Sequence, residues 1–304
     1  MPEILFFLLG ICASLVRAPL ELPSSISRFL SLYLLMNIGL RGGVEIHKEG
    51  FSSDAGIAFA LCILMSCAIP IYTFYLLKRT FALENAAAVA ASYGSVSLIT
   101  FVATTNFLNN QGVEYGGFMV ASMALMEAPA IIVALVLYHL NKRGSFRLME
   151  VMREAFFNPS VYLLLGALVI GAISGEEGWR GLKPFSEDIF KGFLSLFLLD
   201  MGITVGQHLK DWNRSFEVLF YSIAIPIFNG LIAYGLSQFF GLSPGNSLLF
   251  ILLCSSASYI AVPAAMRLIL PDANPSIYVT MALAFSFPFN LLLGLPLFWH
   301  LLTR

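Results

Sequence analysis

The residues best placed to do chemistry in this chain are small hydroxyl side chains in the middle of apolar sequence. One run reads Ala90-Ala91-Ser92-Tyr93-Gly94-Ser95-Val96-Ser97-Leu98-Ile99-Thr100, and a second reads Leu253-Cys254-Ser255-Ser256-Ala257-Ser258-Tyr259-Ile260-Ala261-Val262-Pro263. Each contains a residue that weakens a helix: Gly94 lowers helix propensity, and Pro263 removes a backbone donor. A helix broken there would expose N–H groups that an apolar medium cannot satisfy. A half-helix N-terminus carries roughly +0.5 elementary charge, so two facing N-termini fringed with serine could hold a small oxyanion without Lys or Arg. Neither run contains a basic residue. The chemistry on offer is binding rather than bond making, because neither run contains His or Lys and no HExxH occurs in the chain. The competing explanation is that the serines let helix backbones approach closely.

Two carboxylates also fall inside apolar sequence. Glu127 precedes Ala128-Pro129, and Asp200 lies opposite Asn37 of the first half of the chain. Carboxylates are expensive within a membrane, and neither has a basic partner in its own segment, so a bound sodium ion or a proton would offset the charge. Glu127, Asp200, Asn37 and Thr100 are therefore candidate sodium ligands. Packing or hydrogen bonding is the alternative role for each.

These residues must be positioned by elements suited to a bilayer. The chain has 304 residues, of which 58% are hydrophobic and 12% charged, with a mean hydropathy of +0.83. Soluble domains carry charge at about a quarter of positions, so a soluble enzyme, a nucleic-acid binder and a disordered chain are all excluded. The net charge of −1 provides no field to steer a polyanion. Ten apolar segments are read at about 3–18, 24–41, 55–77, 84–107, 115–140, 159–175, 187–205, 213–240, 245–270 and 275–302. A spanning helix needs roughly 20 residues, which predicts an all-α membrane protein of ten transmembrane helices. The first segment lacks a basic start and reads as a retained helix. With both termini outside, eleven Lys and Arg fall inside, against six outside, and the basic linker 141–158 is cytoplasmic. Cys12, Cys62, Cys67 and Cys254 lie within apolar segments without a CxxC pair and read as reduced thiols.

The chain resembles itself at an offset near 163. Phe29-Leu30-Ser31-Leu32-Tyr33-Leu34-Leu35 matches Phe193-Leu194-Ser195-Leu196-Phe197-Leu198-Leu199, Asn37-Ile38-Gly39 faces Asp200-Met201-Gly202, Ser92 and Ser95 match Ser255 and Ser258, and Tyr115 matches Tyr278. The repeats are 1–140 and 159–304, joined by 141–158. Five helices in each force the second to enter from the opposite side, so the repeats are inverted, with a broken, crossing helix in each half. That is a recurring plan of secondary transporters, whose site lies where the halves meet.

The residues resemble the sodium-dependent bicarbonate transporter family, the cyanobacterial-type bicarbonate permeases and their wider bacterial relatives. The resemblance covers most of the chain. It rests on Ile38-Gly39-Leu40-Arg41-Gly42-Gly43, on Tyr93-Gly94-Ser95-Val96-Ser97, on the run from Tyr115 through Glu127-Ala128-Pro129, and on Pro263 through Arg267 to Pro271-Asp272-Ala273-Asn274-Pro275-Ser276. It implies a sodium-coupled bicarbonate importer of the bacterial inner membrane, a homotrimer that moves by an elevator-like, alternating-access mechanism. Sodium is the coupling ion, and no other cofactor is implied. Carried over by position, Gly94, Ser95, Val96 and Ser97 supply one wall of the anion site, and Ser256, Ser258 and Tyr259 the other. Glu127 takes the place of a family aspartate. A PII-type regulatory protein on the cytoplasmic face is the implied partner of some members. This chain departs from the cyanobacterial pattern at Tyr259, where those members carry aspartate, at Ala261 and Val262, which replace a serine-glycine pair, and at Leu98, which replaces a glycine. A carrier of another small organic anion and a non-transporting sensor with the same fold are the alternative functions.

Overall fold

In the computed structural model, which describes residues 2–20, 22–49, 53–142, 159–211 and 215–304, no strand occurs among the described residues. The helices are α1 (Pro2–Leu15), α2 (Ser24–Glu49), α3 (Ser53–Leu77), α4 (Leu83–Gly94), α5 (Leu98–Gln111), α6 (Phe118–Lys142), α7 (Pro159–Lys183), α8 (Phe190–Asp211), α9 (Phe216–Phe239), α10 (Pro244–Ser255), α11 (Ala261–Ile269) and α12 (Pro275–Leu302). Among the described residues each of the ten segments expected from the sequence contains helix. Among the described residues seven spans are long and apolar enough to cross a membrane, counting α4 with α5 as one, while α1 and α10 are shorter apolar helices. Most of the expected linker, 143–158, lies outside the described residues.

Two boundaries lie eight residues beyond the sequence reading. The second segment continues to Glu49, because its glycines do not end the helix. They let it pack: a Cβ on Gly39 would lie 2.5 Å from the Leu164 carbonyl oxygen, and one on Gly43 would strike that of Leu168, both on α7. The sixth segment reaches Lys183 but leaves helical geometry at Gly175, with φ of 56° and ψ of −153°. An L side chain rarely adopts that φ, so glycine is required.

Helix packing is reciprocal between the two halves. α1 lies along α8, and α2 along α7. A Cβ on Gly10 would strike the Leu199 carbonyl oxygen, and one on Gly202 that of Phe7. Without a hydrophobic force between helices in lipid, such close backbone approach is what holds them. The centre belongs to α4 and α10. Ala86 through Gly94 and Gly245 through Ser255 are buried without exception, so neither helix meets lipid. The third residue of each fastens the far half's loop. Asn85 Oδ1 accepts from the Asn274 N–H at 2.7 Å, and Asn246 Oδ1 accepts from the Gly116 N–H at 2.8 Å.

In α12, π-helical turns cover Thr280–Ser286 and Asn290–Gly294, on either side of Pro288. Proline cannot donate to the helical ladder and its ring displaces the carbonyl one turn back, so the helix widens there. The widened turns carry Ser286 and Asn290 into the interior, where both are fully buried.

Candidate functional site

Both hydroxyl runs interrupt their helices. The first helical half, α4, ends at Gly94. Ser95 is extended (φ −85°, ψ −171°), and α5 begins after Ser97, whose hydroxyl caps it by accepting from the Thr100 N–H at 3.2 Å. Gly94 is fixed by packing, since a Cβ would strike Pro70 on α3 and approach Ala130 Cβ on α6 to 3.0 Å. The second break is longer. α10 ends at Ser255, Ser256 is extended (φ −79°, ψ 171°), and α11 starts at Ala261. Pro263 occupies the first turn of α11, where its missing N–H would have no intrahelical partner in any case. It therefore starts a half-helix rather than ending one.

The two breaks touch. The Ser97 N–H donates to Ser256 Oγ at 2.9 Å, and the Ser258 N–H donates to the Ser92 carbonyl at 2.7 Å. Ser256 Oγ in turn donates to the Leu253 carbonyl at 2.8 Å, and Ser258 Oγ accepts from the Val262 N–H at 3.2 Å. Two asparagines hold the end of α10: Asn229 Nδ2 donates to the Cys254 carbonyl at 3.0 Å, and Asn290 Nδ2 to that of Ser255 at 2.8 Å. Tyr72 OH donates to Asn229 Oδ1 and fixes that amide's orientation. Another buried chain runs from Tyr93 OH to Ser286 Oγ at 2.6 Å, and from there to the Ser222 carbonyl at 2.6 Å.

Beside this junction lies a cavity of about 30 Å³ lined by Ser31, Leu35, Val96, Ser97, Leu98, Glu127, Ser258, Tyr259, Ile260 and Ala261. That is room for a solute on the scale of one or two water molecules. The N–H groups of Val96, Leu98, Tyr259 and Ile260 find no partner among the described residues. Glu127 Oε2 and Tyr259 OH are buried and likewise without a partner. Buried donors and acceptors are nearly always paired, and apart from Ile260, which is exposed, these residues are buried, so the concentration of unpaired groups makes this the candidate site. The lining contains no Lys or Arg. Main-chain N–H groups, the Ser97 and Ser258 hydroxyls and the Tyr259 phenol are the donors available to an anion, and the Glu127 carboxylate calls for a cation or a proton next to it.

Of the anion set expected from the sequence, Val96, Ser97, Ser258 and Tyr259 line this cavity. Gly94 packs on Pro70, Ser95 is buried behind the wall, and the Ser256 hydroxyl is committed to Ser97 and Leu253. Of the expected cation set only Glu127 is at the cavity. Thr100 Oγ1 is buried and unpartnered but off the lining. The Asp200 carboxylate lies against the Ser27 hydroxyl near the start of α2. Asn37 lies ten residues further along α2, about 15 Å at the helical rise. It donates to the Tyr33 carbonyl at 2.8 Å and lines a different space. Among the described residues no three His, Cys, Asp or Glu side chains cluster. The sequence reading missed Ser31, Leu35 and Ile260 on the lining and Asn229 behind it. Ser31, Leu35 and Asn229 come from elements that reach the site only through packing, whereas Ile260 lies in the second hydroxyl run itself, where an apolar residue carries no chemical signal. The pattern GxSxG does occur, at Gly241-Leu242-Ser243-Pro244-Gly245, and Ser243 there is the cap of α10, accepting from the Asn246 N–H at 3.4 Å.

A larger cleft of about 730 Å³ opens between α2, α5 and the start of α8. Leu35 and Leu98 line the cavity, and Ile38 and Phe101, one turn further on the same two helices, line the cleft. Along both helices the lining therefore passes from cavity to cleft within one turn, between apolar residues.

The family model of the Na+-dependent bicarbonate transporter superfamily matches residues 2–303, the whole chain but for its two ends. The chain belongs to this superfamily. No curated protein matches it significantly. With seven apolar spans among the described residues it is a multi-pass membrane protein of a family of Na+-dependent bicarbonate transporters.

Proposed function

We propose that this chain carries bicarbonate into the cell together with sodium, by alternating access between two inverted repeats. The observation that carries the proposal is the meeting of two interrupted helices at one buried cavity with unpaired main-chain N–H groups and an unpaired carboxylate. Bicarbonate is small, planar and monovalent. Four free N–H groups, two hydroxyls and a phenol offer it directed hydrogen bonds without a fixed positive charge, which favours binding weak enough to release. Sodium beside Glu127 would cancel the repulsion between the carboxylate and the anion, so each ion would favour entry of the other. Linkage makes that coupling reciprocal.

The inverted-repeat reading is supported by the reciprocal packing of α1 on α8 and α2 on α7, and by the matched Asn85 and Asn246 contacts. In it α1, α2, α7 and α8 act as the scaffold, and the helices around α4 and α10 move past it as an elevator. Both termini then face outward and the linker inward, across a bacterial inner membrane. The small cavity weighs against bulky organic anions as cargo.

Uptake of radiolabelled bicarbonate into proteoliposomes, with and without an inward sodium gradient, tests the proposal. Gradient-driven accumulation is expected. Folded protein that binds bicarbonate but passes none would point to a sensor, and competition by small carboxylates would point to a different cargo.

A further inference from the structure

The 730 Å³ cleft has basic side chains on its walls, which the smaller cavity lacks. Arg41 on α2 and Lys191 on α8 both line it, and both are exposed. Neither forms an ion pair among the described residues. Two carboxylates also face the cleft. Glu45, one turn beyond Arg41, is engaged by Lys48 at 3.6 Å, and Lys48 also reaches Glu176 at 3.8 Å. Glu114 lies in the connection between α5 and α6. Among the described residues the lining thus carries two cations and two carboxylates, and one of the carboxylates, Glu45, is already engaged by a lysine. Ser186 lines the same cleft next to α8. It is 5% exposed, and its hydroxyl is buried with no hydrogen-bond partner among the described residues. A buried hydroxyl left unpaired among the described residues, on a cleft that two cations also line, is a donor awaiting an acceptor.

We propose that this cleft holds a second anion site, in which Arg41, Lys191 and Ser186 collect a small monovalent oxyanion before it passes the apolar residues Ile38 and Phe101 into the cavity. The inference rests on the transport function proposed above and adds an entry step to it. Cations in a cleft with low-dielectric walls concentrate anions and raise their rate of arrival. Because the site is open to water, its contribution is screened by salt: the Debye length falls from about 30 Å at 0.01 M to about 8 Å at 0.15 M. The site therefore acts on capture, at low substrate, rather than on the turnover of loaded protein.

The test compares bicarbonate uptake by the reconstituted full chain and by Arg41→Gln, Lys191→Gln, their double variant and Ser186→Ala, at low and at physiological ionic strength. The double variant is expected to raise KM about three- to tenfold at low salt, with the maximal rate within twofold of wild type. The salt dependence of the wild-type KM should be largely lost in it. Ser186→Ala should raise KM in the same direction, and Arg41→Lys, which keeps the charge, should restore most of it. A double variant with wild-type KM and wild-type salt dependence overturns the inference and leaves bicarbonate transport standing. A wild-type protein that takes up no bicarbonate overturns the functional reading and the inference together.

Discussion

The Ser97 main-chain N–H donates to the Ser256 hydroxyl at 2.9 Å, across 159 positions of sequence. It is reinforced by the Ser258 N–H on the Ser92 carbonyl at 2.7 Å. The two helix breaks are thus bonded to one another and form a single unit. Under the alternating-access mechanism proposed above, motion of one break would carry the other with it and keep the site intact while access changes.

Removing the link should loosen the site. Ser256→Ala leaves the Ser97 N–H buried without an acceptor, a loss of about 1–3 kcal/mol. We expect a lower unfolding temperature in detergent and weaker bicarbonate uptake. An unchanged unfolding temperature would show that the contact is dispensable.

The two serines nearest the first and second breaks should behave differently. Ser258 lines the cavity, and a hydrogen bond to a charged ligand contributes about 1.5–3 kcal/mol, so Ser258→Ala should raise the bicarbonate KM about tenfold or more. Ser95 lies off the lining with its hydroxyl unpartnered, and Ser95→Ala should change KM by less than about twofold. Equal effects on KM would place the anion elsewhere.

Glu127 is the one carboxylate on the cavity wall. Glu127→Gln keeps the shape and removes the charge that attracts a cation. Uptake should lose its dependence on sodium concentration, or fail altogether, while the protein remains folded by gel filtration. Wild-type sodium dependence in this variant would assign the coupling ion to other groups.

Tyr259→Phe deletes a buried hydroxyl that lies near the Ser97 side chain without forming a well-aligned hydrogen bond. The fold should be unaffected or slightly more stable, since an unsatisfied buried polar group is removed. Bicarbonate affinity should fall, measured as KM in uptake or by calorimetry with the purified protein. A tighter KM would mean that the phenol obstructs the ligand.

The apolar residues between cavity and cleft give a last prediction. Hydrophobic constrictions hold passages closed by excluding water, and here Ile38 and Phe101 are the two residues on the cleft side. Phe101→Ala should open a path, seen as sodium-independent leak of bicarbonate from loaded vesicles. Leak equal to wild type would mean that other residues close the route.

Composition and pattern alone determined the environment and most of the helix inventory. Hydropathy at this level excludes a water-soluble fold because too little polar surface exists to cover a core, and backbone satisfaction in lipid then leaves helices as the natural choice. The breaks were legible for the same local reason: glycine and serine in the first run, and serine followed by proline in the second, are poor continuations of a helix. What the sequence did not disclose is which of the hydroxyls face a common space. Ser95, Ser256 and Ser258 look alike in one dimension, yet one is buried behind the wall, one is spent on a main-chain contact and one lines the cavity. Asp200 and Asn37 align in the sequence match between the two halves, and alignment is not proximity: one lies against Ser27 and the other in the cleft. Ser31, Asn229, Arg41 and Lys191 reach the cavity, its support and the cleft from helices distant in sequence. Local sequence sets where a chain breaks, because that depends on backbone propensity within a turn or two. Tertiary packing decides which side chains converge, because that depends on the register and crossing of helices set by contacts across the whole molecule.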